Sequence, residues 1–159
     1  MQLRGFDEER LVHLTKLLRR RFLTDDGEVL PARKNAQFRG TSLYASVHAH
    51  QHKDLGRRDD LWSLLYVLAE FLDGDLPWRS MTDKEEVRAA KEAYNRNPQL
   101  MMRNVSLPDE LKEVMMYLRS LDFEDAPDYT YVRNQLQAVC DRLSIKVGPT
   151  CCSALHKST

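Results

Sequence analysis

The stretch that most constrains the fold is residues 60–73, which are apolar on every side of a helix. They read DLWSLLYVLAEFLD. A helix whose apolar side chains cover its whole circumference is stable only when it is buried on all sides. Gly74 and Pro77 follow, and both predict the end of the helix. The stretch is therefore predicted to be a central helix on which the rest of the chain packs.

Four further segments have helical periodicity, and strand signals are scarce throughout the chain. These segments are residues 7–22, residues 82–95, one that begins near Pro108 and one that Asp128 can cap. Thr82-Asp83-Lys84-Glu85 fits the capping box that opens a helix. The periodicity stops after Leu143, so residues 144–159 are predicted to be a disordered tail. The predicted fold class is all-α.

The composition is that of a soluble protein with no global charge. The 159 residues suit one domain, and 24 basic side chains balance 24 acidic ones. A neutral chain has no overall attraction for nucleic acid or an anionic membrane, so neither is expected as a partner. The three cysteines include no Cys-x-x-Cys pair, which indicates a reducing compartment. Since no apolar run is long enough to cross a bilayer, we expect the protein in the cytoplasm or the nucleus.

Three histidines alternate at positions 48, 50 and 52. Such a trio can ligate a metal ion, but no thiolate or carboxylate stands at a suitable spacing beside it. The alternative is a turn whose imidazoles are solvated or hydrogen-bonded. We favour the turn and expect no metal.

Three long motifs resemble the casein kinase I superfamily of protein kinases, and most closely its tau-tubulin-kinase-like branch. They are FRGTSLYASVHAH at 38–50, GRRDDLWSLLYVLAEFLDGDLPW at 56–78 and SLDFEDAPDYTYVR at 120–133. Their order and spacing make the resemblance specific. It implies a kinase C-terminal lobe built around a buried central helix, with the N-terminal lobe absent. The implied division is a divergent flank at 1–17, a partial kinase domain at 18–143 and the tail at 144–159.

The resemblance also implies a substrate-facing site. Residues 22–40 correspond to the activation segment. The residues expected to face a protein substrate are Arg39, Gly40, Thr41, Leu43 and Tyr44. Thr41 is expected to bond with the catalytic loop. Asp60 corresponds to a buried aspartate that holds the backbone of that loop, which gives the carboxylate the donors that burial demands. The alternative for Asp60 is that it only caps its helix.

The chain has none of the motifs that carry phosphoryl transfer. It contains no glycine-rich loop, no Val-Ala-Ile-Lys lysine and no His-Arg-Asp catalytic loop. The metal-binding Asp-Phe-Gly of the family falls on Thr15-Lys16-Leu17, and Thr15 has no carboxylate for magnesium. We therefore expect no catalytic residue in this chain, no use of the family's ATP and Mg²⁺, and no activity of the chain alone.

One substitution concerns substrate choice. The family often has an arginine just before the tyrosine of the Tyr-Ala-Ser stretch, and this chain has Leu43 there. A basic side chain would attract an acidic or phosphorylated substrate, and leucine does not.

Two functions from different classes fit these observations. The first is a partial serine/threonine kinase domain. The second is a non-catalytic, pseudokinase-like module that binds protein substrates or a partner kinase through residues 38–52 and 82–95, with the basic run at 19–21 assisting. A stable partner retained by the chain alone would support the second function.

Overall fold

The computed structural model describes residue 24 and residues 26–144, except 103 and 105. Within this part of the chain there are five α-helices and no β-sheet. They are α1 (Val47–His50), α2 (Arg57–Asp73), α3 (Lys84–Arg96), α4 (Asp109–Ser120) and α5 (Tyr129–Arg142), with a short 3₁₀ turn at Pro98–Leu100. No helix among the described residues is long and apolar enough to cross a membrane. The predicted helix at 7–22, most of the tail and the basic run at 19–21 lie outside these residues.

The central helix α2 begins three residues earlier than its apolar pattern indicates. Gly56 is its N-cap residue, and the Asp59 carboxylate accepts a hydrogen bond of 2.9 Å from the Gly56 amide. This capping contact satisfies a donor that the helix end leaves unpaired. Asp60 therefore lies inside the first turn, and the alternative that Asp60 caps the helix is wrong. The other end is as predicted, since Gly74 adopts a φ of 92°, which glycine tolerates.

Most of α2 is buried, as its composition predicts. Trp62 and Leu65 are each 3% exposed, and Tyr66 is fully enclosed. Leu64 and Leu68 are only half-buried, however, and share a stripe with the exposed Asp60. The prediction of burial on all sides is thus wrong for this one stripe, because the other described helices pack on the remaining faces.

The start of α2 is fastened to the segment between α4 and α5. A Cβ atom added at Gly56 would lie 2.4 Å from the Phe123 carbonyl oxygen, so only glycine allows this approach. Arg57 donates a hydrogen bond of 2.8 Å to the Glu124 carbonyl, and Arg58 donates to the Leu121 carbonyl. Two of the three long motifs are therefore in direct contact.

The other helix starts agree with the sequence. Asp83 caps α3 by accepting from the Glu85 and Glu86 amides, so the capping residue of that motif is Asp83 and not Thr82. Asp128 caps α5 as predicted, and Pro108 precedes α4. An aromatic chain joins α2 to α3. Its members are Trp62, Tyr66, Trp78 and Tyr94, with ring centroids 5.1–6.0 Å apart.

Candidate functional site

The predicted substrate-facing residues form a turn that precedes α1. Gly40 has a φ of 94°, a backbone conformation that favours glycine. The Thr41 hydroxyl accepts a 3.3 Å hydrogen bond from the Leu43 amide, and the Thr41 carbonyl accepts one of 3.1 Å from Ala45. Arg39 and Gly40 are exposed, and Thr41 and Leu43 are half-buried. We refer to residues 38–46 as the substrate loop.

The inner end of the substrate loop is bonded to α2 and to the segment after it. Tyr44 is 7% exposed, and its hydroxyl donates a short hydrogen bond to the Glu70 carboxylate on α2. Glu70 also forms an ion pair with Arg79. The Trp78 indole donates a hydrogen bond of 2.8 Å to the Leu43 carbonyl. Tyr44 is thus an anchor of the loop, whereas the exposed Arg39 is the side chain that faces outwards.

A buried lysine on α3 holds the same loop. Lys91 is fully enclosed, and its Nζ lies 2.6 Å from both the Ser42 and the Ala45 carbonyl oxygens. The Nζ also lies 4.8 Å from the centre of the Tyr66 ring and 5.2 Å from that of Trp78. Burial lowers the pKa of Lys91 well below its usual value. The carbonyl oxygens and ring faces oppose that shift, because both favour the charged amine.

Lys91, Glu70 and Trp78 were not among the site residues that sequence reasoning selected. Lys91 had a usable signal, since it is four residues after Val87 and three before Tyr94, both on the inner side of α3. A lysine in the apolar stripe of a helix is a candidate for a buried cation with specific acceptors.

The segment after the loop connects α1 to the start of α2. Ser46 caps α1 by accepting a hydrogen bond from the Ala49 amide. His48 lies 2.8 Å from the Asp59 carboxylate, which also caps α2. His50 is buried, and His52 is exposed with a φ of 55°. No group of three metal-ligating side chains occurs in the described part of the chain, and the three histidines have three different environments.

Residues 38–52 and α3 form one continuous surface. The Lys84 amine lies 4.4 Å from the centre of the Phe38 ring, and the Gln51 amide donates a hydrogen bond of 3.1 Å to Glu92. Together with the Lys91 contacts, these interactions bring together the two regions that the sequence nominates for protein binding.

Asp60 differs from its expected environment. It is exposed rather than buried, and it makes no hydrogen bond or ion pair with the residues that the structure describes. Partial desolvation and, second, the charge of Asp59 nevertheless raise the pKa of Asp60 to about 6. The carboxylate therefore has unused acceptor capacity at the first turn of α2. The role predicted for it remains untested, and Thr15 lies outside the described residues.

The chain is similar to a probable serine/threonine-protein kinase of Dictyostelium discoideum. The two are 48% identical over 119 residues, which are 75% of this chain and 23% of that protein. No protein-family model matches the chain. The chain is thus related to protein kinases, and its all-α architecture is that of part of a kinase C-terminal lobe. Because the match spans 23% of the relative, activity, substrates and partners are considered below as proposals.

Proposed function

We propose that the chain is the substrate-binding part of a serine/threonine kinase domain of the casein kinase I type. Protein substrates bind to its substrate loop. The observation that carries this proposal is the way the three motifs join. The first motif forms the loop, the second supplies Glu70 and Trp78 that bond to it, and the third contacts the start of α2 at Gly56. A preorganised loop lowers the entropy lost when a substrate is positioned.

Each site residue has a proposed role within this scheme. Arg39 and Gly40 contact the substrate backbone, while Thr41 and Leu43 border the residue next to the phosphorylated one. Asp60 accepts N–H groups from a catalytic-loop backbone. Its exposure and its raised pKa support this, since a carboxylate without donors gains most from new ones.

We propose that this chain alone does not hold the ATP and Mg²⁺ that the resemblance implies. Mg²⁺ takes carboxylate oxygens, and the described residues contain no cluster of three side chains that ligate metals. The position of the family's metal-binding aspartate is Thr15. We therefore propose that the 159-residue chain alone does not transfer phosphate. Separately, we propose the cytoplasm or the nucleus as its location.

A chimera tests the kinase proposal. The 119 matched residues of the Dictyostelium kinase would be replaced by those of this chain, and transfer of labelled phosphate to a protein substrate would be measured. Activity of the chimera, lost on Asp60→Asn, is the expected result. A folded but inactive chimera would refute the kinase proposal. If the isolated chain transferred phosphate faster than its Asp60→Asn variant, the proposed inactivity of the chain alone would be refuted.

Leu43 provides a prediction about substrate class. In the chimera, Leu43→Arg places a guanidinium beside the loop, which favours an anionic substrate. We expect the ratio of kcat/KM for a phosphorylated peptide over its unphosphorylated form to rise about tenfold. Leu43→Met, which adds no charge, is the control. An unchanged ratio would show that position 43 does not face the substrate.

The second candidate is a non-catalytic module that binds a substrate protein or a partner kinase. It is favoured by the continuous surface of residues 38–52 and α3. A partner captured by the isolated chain, and lost on Arg39→Ala, would support it. Such capture together with an inactive chimera would favour this function over the first.

A further inference from the structure

A pocket of about 370 Å³ lies between α1, α2, α3 and α4, apart from the predicted substrate-facing residues. Its apolar wall includes Trp62 and Leu118, both buried. Three arginines from three different helices also line it: Arg58 of α2, Arg96 of α3 and Arg119 of α4. The size is in the range of sites that accept a small molecule or a few side chains.

Two of these arginines have donors without a charged partner. Arg96 donates a hydrogen bond of 3.2 Å to the Glu92 carbonyl, and Arg119 donates one of 3.2 Å to the Asn95 carbonyl. Neither forms an ion pair in the described part of the chain. A guanidinium has five N–H donors, so each has several left for an anion.

The third arginine is the inner one. The Arg58 side chain is 13% exposed and donates to the Leu121 carbonyl. Its nearest carboxylate is that of Asp122, at 3.8 Å, and Asp122 is 93% exposed. Such a distant and solvated partner neutralises little of the charge.

The pocket therefore has an excess of positive charge. Glu92 is the one acidic side chain in its lining, and its carboxylate already accepts from Gln51 and Arg88. His48 also lines the pocket but is bonded to the Asp59 carboxylate. Among the side chains that line the pocket, three guanidiniums against one carboxylate leave a surplus of two positive charges, which the solvated Asp122 reduces only in part.

We propose that this pocket binds a phosphorylated serine or threonine side chain of a partner protein. A phosphate monoester carries a charge of about −1.5 to −2 at neutral pH, which matches the surplus. Its oxygens accept the paired N–H bonds that guanidiniums offer. The apolar wall has room for a neighbouring aliphatic side chain, and the exposed Arg96 and Arg119 leave the rim open to an extended peptide. The proposal does not depend on kinase activity.

Binding of a peptide to the full chain tests this site. The probe is Ala-Ala-phosphoserine-Leu-Ala with blocked ends, titrated by calorimetry at fixed salt. We expect saturable binding, weakened about tenfold by Arg96→Gln and by Arg119→Gln, because each removes charged hydrogen bonds. Both side chains are exposed, so neither substitution disturbs the core. Circular dichroism and urea unfolding verify this for each variant.

Two controls separate this site from general attraction of anions. Arg133→Gln removes an exposed arginine of α5 outside the pocket, and Lys34→Gln removes an exposed lysine from the segment that precedes the substrate loop. Neither is expected to change the affinity. An equal loss in either control, no binding of the peptide, or equal affinity for inorganic phosphate would overturn the proposal.

Discussion

His50 makes the stability of this chain sensitive to mild acid. It is 4% exposed, packs with its ring centroid 5.1 Å from that of Phe38, and has no hydrogen-bond partner on either ring nitrogen in the described structure. Burial is the main cause that lowers the pKa of His50 from 6.5 to about 4, and the charge of Lys91 is the second. The Ser42 backbone lies near the ring without meeting hydrogen-bond geometry, and it offsets only part of the shift. The other charged groups that face it are Glu85 and Lys84.

The size of the effect follows from the difference in proton binding. Between pH 6.5 and 4 the unfolded chain binds a proton at this imidazole and the folded chain does not. The contribution of His50 is therefore fully present above pH 6.5 and is lost as the pH falls towards 4. With about 1.4 kcal/mol per pKa unit, the free energy of unfolding decreases by about 3 kcal/mol at pH 4. That is a large part of the stability of a typical domain.

Urea unfolding of the chain and of His50→Phe between pH 4 and 7.5 measures this contribution. Phenylalanine fills the site and cannot bind a proton, so the variant should lack about 3 kcal/mol of the acid-induced loss. His52→Asn is the matched control, because His52 is exposed and asparagine tolerates its positive φ. Parallel stability curves for the chain and His50→Phe would refute the reasoning.

Three further predictions concern the same helical lobe. Between pH 4 and 6 Asp60 opposes the contribution of His50, because folding raises the pKa of Asp60 and so favours its protonated form; Asp60→Asn should therefore gain more stability than the unsubstituted chain between pH 4 and pH 8, as urea unfolding at these two pH values measures. Gly56→Ala should destabilise the chain by about 1–3 kcal/mol in urea, because its Cβ overlaps the Phe123 carbonyl; an unchanged midpoint would contradict the contact. Lys91→Met should speed amide exchange at Ala45 more than in α5, because two buried carbonyls lose their donor; equal changes would show a merely global effect.

The sequence predicted the helical architecture because its strongest patterns are local. Each pattern depends on only a few neighbouring residues. The apolar stretch predicted α2, the capping motif predicted the start of α3, and Gly74 predicted the end of α2. The error at the start of α2 has a physical reason. The capping contact of Asp59 with Gly56 extends the helix beyond its apolar pattern, and the polar Arg57 and Arg58 conceal this extension.

The candidate site was predicted less completely because its contacts are distant in sequence. The resemblance identified the loop, but its bonds to Glu70, Trp78 and Lys91 join residues 26 to 49 positions apart. Composition did not distinguish Lys91 from the exposed lysines around it. The partial exposure of Leu64 and Leu68 could not be predicted either. An apolar side chain favours burial, but its position in the sequence does not show whether another element packs against it.

The substrate loop and Asp60 are the two parts of the proposed site, and they are held in different ways. This difference allows protein docking to be tested separately from phosphate transfer. The substrate loop is bonded by Glu70, Trp78 and Lys91, which all belong to the described lobe. Asp60 has unused acceptors, so its proposed role needs a backbone that the described residues do not supply. Docking of a protein on the loop should therefore survive Asp60→Asn, whereas phosphate transfer by the chimera should not. If Asp60→Asn abolishes both docking and phosphate transfer, the substrate loop and the start of α2 are structurally coupled. The conclusion that they act independently would then be wrong.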